Sequence, residues 1–175
     1  MSKGLVTIID FHGAKLKENF LYTFNQSDID GINYYSDPTS AKRIADLNKF
    51  KAIWRDIAER FKDYPETLLF EVFNEPYFWL SANEISTISS DIINIVRSSG
   101  SNNESRKIII TGGDTNSWEV IFQIPNDLIN SDPNLIATFH YYQPMSFTSS
   151  MQENNNNFNL SQNAKNQITQ RFSQI

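Results

Sequence analysis

The chain of 175 residues contains no cysteine and few basic residues. The absence of cysteine excludes disulfide bonds and thiolate metal sites. No stretch is apolar enough over the roughly 20 residues that a membrane helix needs, so we predict no membrane span. Lys and Arg number 15 against 20 Asp and Glu, and the net charge is −5. With no local Lys- or Arg-rich run, this charge argues against nucleic acid as a partner.

The remaining composition is that of an ordinary globular protein. Hydrophobic residues make up 39% of the chain and aromatic residues 13%, which is enough for one core. We therefore expect residues 1–175 to form a single domain. Two segments interrupt it: residues 15–40 predict a long functional loop, and the Asn/Ser/Gln-rich residues 148–167 predict a poorly ordered one.

Short β-branched and aromatic runs alternate with helical patterns along the chain. The alternation predicts an α/β fold with parallel strands and right-handed crossovers, each strand being covered on both faces. A flavodoxin-like sheet has the same rhythm, but no Gly-rich phosphate loop follows the first run. The predicted strands are residues 4–12, 68–74, 107–112 and 135–142, and the predicted helices are residues 49–64, 81–99, 118–122 and 162–175.

The second strand-like run ends in a candidate catalytic carboxylate. LLFEVFNEP finishes in Asn74-Glu75-Pro76, and parallel β/α folds place their active sites at the carboxyl ends of strands. A simple turn explains these residues equally well when they are taken alone. Strand alternation predicts that Glu71, Phe73 and Glu75 share one face. Glu71 lies deeper, and we interpret it as a buried structural carboxylate.

The only two histidines also fall at predicted strand ends. His12 ends the first run, and His140 stands two residues before Tyr142 at the end of the last. Core packing explains each residue alone, but not why they collect at one edge of the sheet together with Glu75. A metal site is the alternative for two histidines and a glutamate. It leaves Tyr142 and Asn74 without a ligand role, and no HExxH-like spacing is present.

Four segments together resemble glycoside hydrolase family 5, the cellulase family. They are the DFH end of the first strand, LLFEVFNEP, IIITGGDTNSWEV and NLIATFHYYQPMSFT, and the resemblance extends to about residue 148. It implies a partial TIM (β/α)8 barrel that comprises strands three to six. It also implies retaining hydrolysis of β-linked polysaccharide without a cofactor or metal, and an extracellular location, although no signal peptide pattern opens this sequence.

The resemblance also implies a role for each residue at the strand ends. Glu75 matches the general acid/base, and Asn74 the residue that hydrogen-bonds the sugar 2-hydroxyl. His12 matches an active-site histidine of the third barrel strand. His140 and Tyr142 match the pair that orients the catalytic carboxylates.

Aromatic side chains and a second carboxylate complete the expectation. Trp79 and Trp118 are candidates for stacking on glucose rings, with core packing as the open alternative. The nucleophile of the family lies on its seventh strand, which has no counterpart in residues 1–175. We therefore expect this sequence to be a fragment of a longer enzyme that is inactive alone. The alternative is a non-catalytic remnant that at most binds glycan.

Overall fold

A computed structural model describes residues 4–12, 41–74, 82–112, 124–142, 148 and 161–173. In these ranges four parallel strands alternate with helices, and the strands are ordered β1-β2-β3-β4 in one sheet. The predicted α/β class is thereby confirmed. The elements are β1 (Thr7–Asp10), α1 (Ala41–Phe61), β2 (Leu68–Glu71), α2 (Ala82–Ser98), a 3₁₀ helix (Ser101–Glu104), β3 (Ile108–Ile110), α3 (Asn126–Ser131), β4 (Leu135–Ala137) and α4 (Gln162–Phe172).

The register of the strands separates the two faces of the sheet. Phe70 lies opposite Ile9 on one side and opposite Ile108 on the other, and this row packs against the helices. The next row pairs Asp10 with Glu71, and therefore lies on the opposite face. In a parallel barrel that face points inward, so the two carboxyl groups lie on the inner side.

Helices α1 and α2 cover the outer face with apolar stripes at helical spacing. Phe50, Trp54 and Ala58 of α1 are fully buried. The ring of Trp54 lies 5.7 Å from that of Phe70, and the ring of Phe50 stacks on Phe73 at 4.9 Å. Each fully buried side chain of this size contributes about 1.5–3 kcal/mol to folding. The buried residues of α2 are Ile85, Ile88, Ser89, Ile92, Ile93 and Val96.

Helix α1 starts at Ala41, earlier than residue 49, where the apolar pattern begins. The extra turns are held by tertiary contact, because the buried Arg43 donates to the Glu84 carboxylate of α2 at 3.0 Å. Helix α2 ends as predicted, since Gly100 follows it with φ 73°. A residue without a Cβ adopts this left-handed conformation at little cost.

The outer strands are less covered than predicted. Ile8 of β1 is 48% exposed and Ile136 of β4 is 36% exposed, whereas β3 is buried throughout and β2 nearly so. The expectation that all four strands are covered on both faces is therefore wrong for β1 and β4. Each of them pairs with one neighbouring strand only among the described residues, so its other side lacks a covering strand there.

The C-terminal part contains one unpredicted helix and one predicted helix. Helix α3 was not predicted, and the helix expected at residues 118–122 lies outside the described residues. Helix α4 confirms the predicted C-terminal helix, and the Ser161 side chain caps it by accepting a hydrogen bond from the Ala164 amide at 3.2 Å. This helix overlaps the end of the range 148–167. Residues 149–160 and the predicted loop at 15–40 lie outside the described residues.

Arg106 is the largest polar side chain in the interior. It is completely buried, and its guanidinium group donates to backbone carbonyls that end α1 and precede or begin β2. Burial lowers the pKa of Arg106, and the charge of Arg97 adds to this effect. Carbonyls at a helix C-terminus carry partial negative charge, so they take the place of a carboxylate partner. The acceptors are the carbonyls of Phe61, Tyr64, Pro65 and Leu68, at 2.9, 2.8, 3.1 and 2.6 Å.

We expect Arg106→Ala to lower the free energy of unfolding by about 3–5 kcal/mol, because it removes the charge-assisted hydrogen bonds of the guanidinium group and leaves a cavity in the interior. Urea unfolding followed by far-ultraviolet circular dichroism measures the change. Arg55→Ala, which removes an exposed arginine of α1, is the matched control and should shift stability by no more than about 0.5 kcal/mol. Equal urea midpoints for the two variants would show that the hydrogen bonds from Arg106 to these carbonyls do not contribute to stability.

Candidate active site

Three polar side chains follow the carboxyl ends of β1, β2 and β4. His12 comes two residues after β1, and Asn74 and His140 each come three residues after their strands. Backbone pairing continues past the strand ends, since the Asn74 amide donates to the Phe11 carbonyl at 3.2 Å. These three residues therefore lie at one edge of the sheet, beyond the strands themselves.

His12 and Asn74 are in direct contact, although 62 positions separate them. The Nε2 atom of His12 lies 2.8 Å from the Nδ2 atom of Asn74. On the other side of the ring, Nδ1 contacts the Asp10 carboxylate. The His12 side chain is 70% exposed, so it is accessible to a ligand as well as bound to its neighbours.

His140 and Tyr142 also lie together, as their spacing predicted. Their ring centroids are 6.0 Å apart in an edge-to-face arrangement. The segment is held from behind, because Phe172 of α4 packs against the rings of Phe139 and Tyr141 at 5.8 and 5.5 Å. Phe139 and Tyr141 therefore face α4.

The pKa of Glu71 is affected by both histidines and by Asp10. Burial raises the pKa of this half-buried carboxyl group, and the nearby charge of Asp10 raises it further. His140 and His12 act in the opposite direction. The expectation of a buried structural carboxylate was therefore incomplete: Glu71 is half-buried and interacts with both histidines and with Asp10.

The strand alternation that was predicted around Glu71 is wrong. Strand β2 ends at Glu71, and a bend follows at Val72. Both Val72 and Phe73 are buried in the core, where Phe73 stacks on Phe50. Glu71 and Phe73 therefore do not share a face, because the two-residue period holds only while the backbone remains extended.

The structure leaves three predicted site residues untested and adds one. Glu75, Trp79 and Trp118 lie outside the described residues. Thr111 directly follows β3 at the same edge, and its buried hydroxyl has no hydrogen-bond partner in the described part of the chain. Its place near the carboxyl end of the predicted strand at residues 107–112 was the signal that could have identified it. Within the described ranges, no group of three or more His, Asp or Glu side chains could hold a metal ion.

Comparison with protein families gives one match over nearly the whole chain. The model for cellulase, glycosyl hydrolase family 5, matches residues 1–174. Endoglucanase H of Acetivibrio thermocellus is 36% identical over 149 residues, which are 85% of this chain and 13% of that protein. Endoglucanase B of Ruminococcus albus is 36% identical over 124 residues, or 63% of this chain and 29% of the relative. The chain thus spans less than a third of either relative.

Solved structures share the fold. An endoglucanase superposes with a TM-score of 0.71 at 28% identity, over 98% of this chain and 49% of its own. The xyloglucan-specific endo-β-1,4-glucanase XEG5A, solved with cellotriose, gives 0.69 at 28% identity over 98% and 48%. Cel5A of Thermotoga maritima, at 24% identity, gives 0.71 and supports the fold alone. The four-stranded sheet is therefore part of a TIM barrel. In the described ranges, no helix has the length and apolar character to cross a membrane.

The raised pKa of Glu71 predicts a pH-dependent effect of Glu71→Gln on stability. A carboxyl group with a raised pKa contributes stability below its ordinary pKa, and this is lost as the pH rises through the raised value. Because glutamine cannot ionise, we expect the variant to gain free energy of unfolding over wild type at about pH 7 and to lose that gain at about pH 3.

Urea unfolding of both proteins at the two pH values measures this difference. Glu66→Gln, which changes an exposed carboxyl group just before β2, is the matched control and should show no such pH dependence. A Glu71→Gln variant that is less stable than wild type at neutral pH would contradict the assignment of burial as the main cause.

Proposed function

The chain belongs to glycosyl hydrolase family 5, and we propose that it supplies the acid/base half of the active site of a retaining endo-β-1,4-glycanase. The observation that supports this most directly is the contact of His12 with Asn74 at the carboxyl edge of a parallel sheet. Asn74 immediately precedes Glu75 in the sequence. The contact therefore fixes Asn74, the residue before Glu75, at the edge where β/α barrels carry their active sites.

In the proposed reaction Glu75 is the general acid and then the general base. It protonates the leaving glycosidic oxygen while a second carboxylate, about 5–5.5 Å away, attacks the sugar. Water then releases the sugar with Glu75 as the base. Asn74 holds the 2-hydroxyl of that sugar, and hydrogen bonds of this kind strengthen in the transition state.

The remaining site residues orient the reacting groups. His12 holds the Asn74 side chain through the 2.8 Å contact. His140 and Tyr142 form an edge-to-face pair in the segment that α4 buttresses, and we assign them to positioning the catalytic carboxylates. Trp79 and Trp118 are assigned to stacking on sugar rings, where flat apolar faces match aromatic side chains.

The substrate class is a β-linked polysaccharide, with β-1,4-glucan favoured. Two of the relatives described above are named endoglucanases, and XEG5A was solved with cellotriose. Because such polymers do not cross membranes, we place the reaction outside the cell. The site residues described above are assigned to bond cleavage. The selection of glucan, mannan or xyloglucan as substrate depends on loops around the site.

The second candidate function is glycan binding without hydrolysis. It is favoured by the number of catalytic carboxyl groups, since the family resemblance assigns only Glu75 within residues 1–175. Retaining hydrolysis requires two such groups. A polypeptide with one of them can still bind sugar through Asn74, His12 and the tryptophans.

We expect residues 1–175, expressed alone, to release no reducing sugar from carboxymethyl-cellulose or mannan, because the family resemblance assigns no nucleophile to them. Native electrophoresis through gels with and without the same glycans measures binding in parallel. Retardation without hydrolysis supports the binding function of this segment. Hydrolysis that disappears in Glu75→Gln would show that a second carboxylate is present within residues 1–175 after all.

A chimera tests the acid/base role directly. Residues 1–175 replace the matching 49% of the solved endoglucanase, and we expect its remaining half to supply the second carboxylate. We expect the chimera to hydrolyse carboxymethyl-cellulose and Glu75→Gln to lower its kcat by about 10²–10⁴-fold, the usual contribution of general acid–base catalysis.

Glu66→Gln in the same chimera is the control, because Glu66 is an exposed carboxyl group at the opposite end of β2. It should leave kcat unchanged. An active chimera in which Glu75→Gln behaves like Glu66→Gln would refute the assignment of Glu75 as the acid/base.

A further inference from the structure

We propose that Asp10 is a positioning residue: it selects the tautomer of His12 and thereby the orientation of the Asn74 amide. The consequence for sugar binding rests on the proposed function of Asn74.

The two ring nitrogens of His12 face neighbours of opposite character. Nδ1 contacts the carboxylate of Asp10, which accepts hydrogen bonds when it is ionised. Nε2 lies 2.8 Å from Nδ2 of Asn74, an amide nitrogen that only donates. A neutral imidazole has one donor and one acceptor, and a single arrangement satisfies both neighbours. The proton is on Nδ1, and Nε2 accepts from Asn74.

This arrangement decides which end of the Asn74 amide faces His12. With Nε2 as an acceptor, the NH₂ group points to His12 and the Oδ1 atom lies on the other side of the amide. If the proton were on Nε2 instead, two donors would face each other across 2.8 Å. The amide would then have to turn over and present its oxygen to His12. Asp10 therefore controls the Asn74 side chain without touching it.

Asp10 lies next to a second carboxyl group. Its partner in the register is Glu71, on the neighbouring strand and on the same face of the sheet. Burial is the main cause that raises the pKa of Glu71, and the charge of Asp10 adds to it. The other side of Glu71 is flanked in register by the apolar Ile109, and among the described residues His140 and His12 are the other titratable groups that affect Glu71.

The consequence concerns the sugar that Asn74 is proposed to hold. An amide whose NH₂ group is occupied by His12 offers its oxygen as an acceptor for a hydroxyl group. Without Asp10, both amide orientations become accessible, and part of the protein presents the wrong group. The effect on a bound sugar would therefore be a loss of affinity without any loss of a direct contact.

The test is a long-range ¹H–¹⁵N spectrum of the imidazole rings of residues 1–175 at about pH 8, where imidazoles are mainly neutral. The chain has two histidines, and His12→Gln leaves His140 as the only one, which assigns both sets of signals. We expect His12 to carry its proton on Nδ1, the minor tautomer of free histidine. Asp10→Ala should move the proton to Nε2 in a large fraction of molecules and shift the Asn74 side-chain amide signals.

Asp91→Ala is the matched control, because Asp91 pairs with Lys51 between α1 and α2, away from the site. It should leave the His12 signals unchanged. An Nε2-protonated His12 in the wild type, or a tautomer that Asp10→Ala leaves unchanged, would overturn the proposal. The wild-type spectrum alone decides it if Asp10→Ala does not fold. A chimera without glycanase activity would count against the proposed function but would not alter this spectrum.

Discussion

The buried guanidinium group of Arg106 ties together the parts of the fold that the strands alone do not join. It bonds to carbonyls of Phe61, Tyr64, Pro65 and Leu68, and so holds the end of α1, the following turn and the start of β2 against β3. A charge in this position is stable only because helix-end dipoles and several aligned acceptors surround it.

Neighbouring contacts extend this network along the amino ends of the strands. Asn103 accepts from Arg106 Nε and donates to the Ala58 carbonyl at 2.9 Å. Arg97 of α2 donates to Asp132 at 2.7 Å and to the Asn103 carbonyl at 2.6 Å. Helices and strands are thus aligned at one end of the sheet by polar bonds, while the apolar core between them supplies most of the burial. The carboxyl ends carry the candidate active site.

Much of this arrangement could be predicted from the sequence, and the failures have physical causes. Periodicity identified the four strands and the apolar stripe of α1. It missed the first turns of α1, because they depend on the contact of Arg43 with Glu84. It also missed the hydrogen bonds of Arg106, because backbone carbonyl partners cannot be recognised from residue types. The location of His12 and Asn74 at the same edge was predicted, but their direct contact was not. The importance of Asp10 was not, because it becomes evident only from the contact with His12 Nδ1.

The separation of the two ends of the sheet has an evolutionary consequence. The polar network around Arg106 lies at the amino ends, whereas His12, Asn74 and His140 lie in segments beyond the carboxyl ends. Phe11, Val72 and Phe73 of those segments belong to the core. Mutations of the polar residues beside them can alter ligand contacts while the Arg106 network and the apolar core remain intact. A library of variants confined to the carboxyl side therefore explores new specificities with a smaller fraction of unfolded members than one spread over the whole chain.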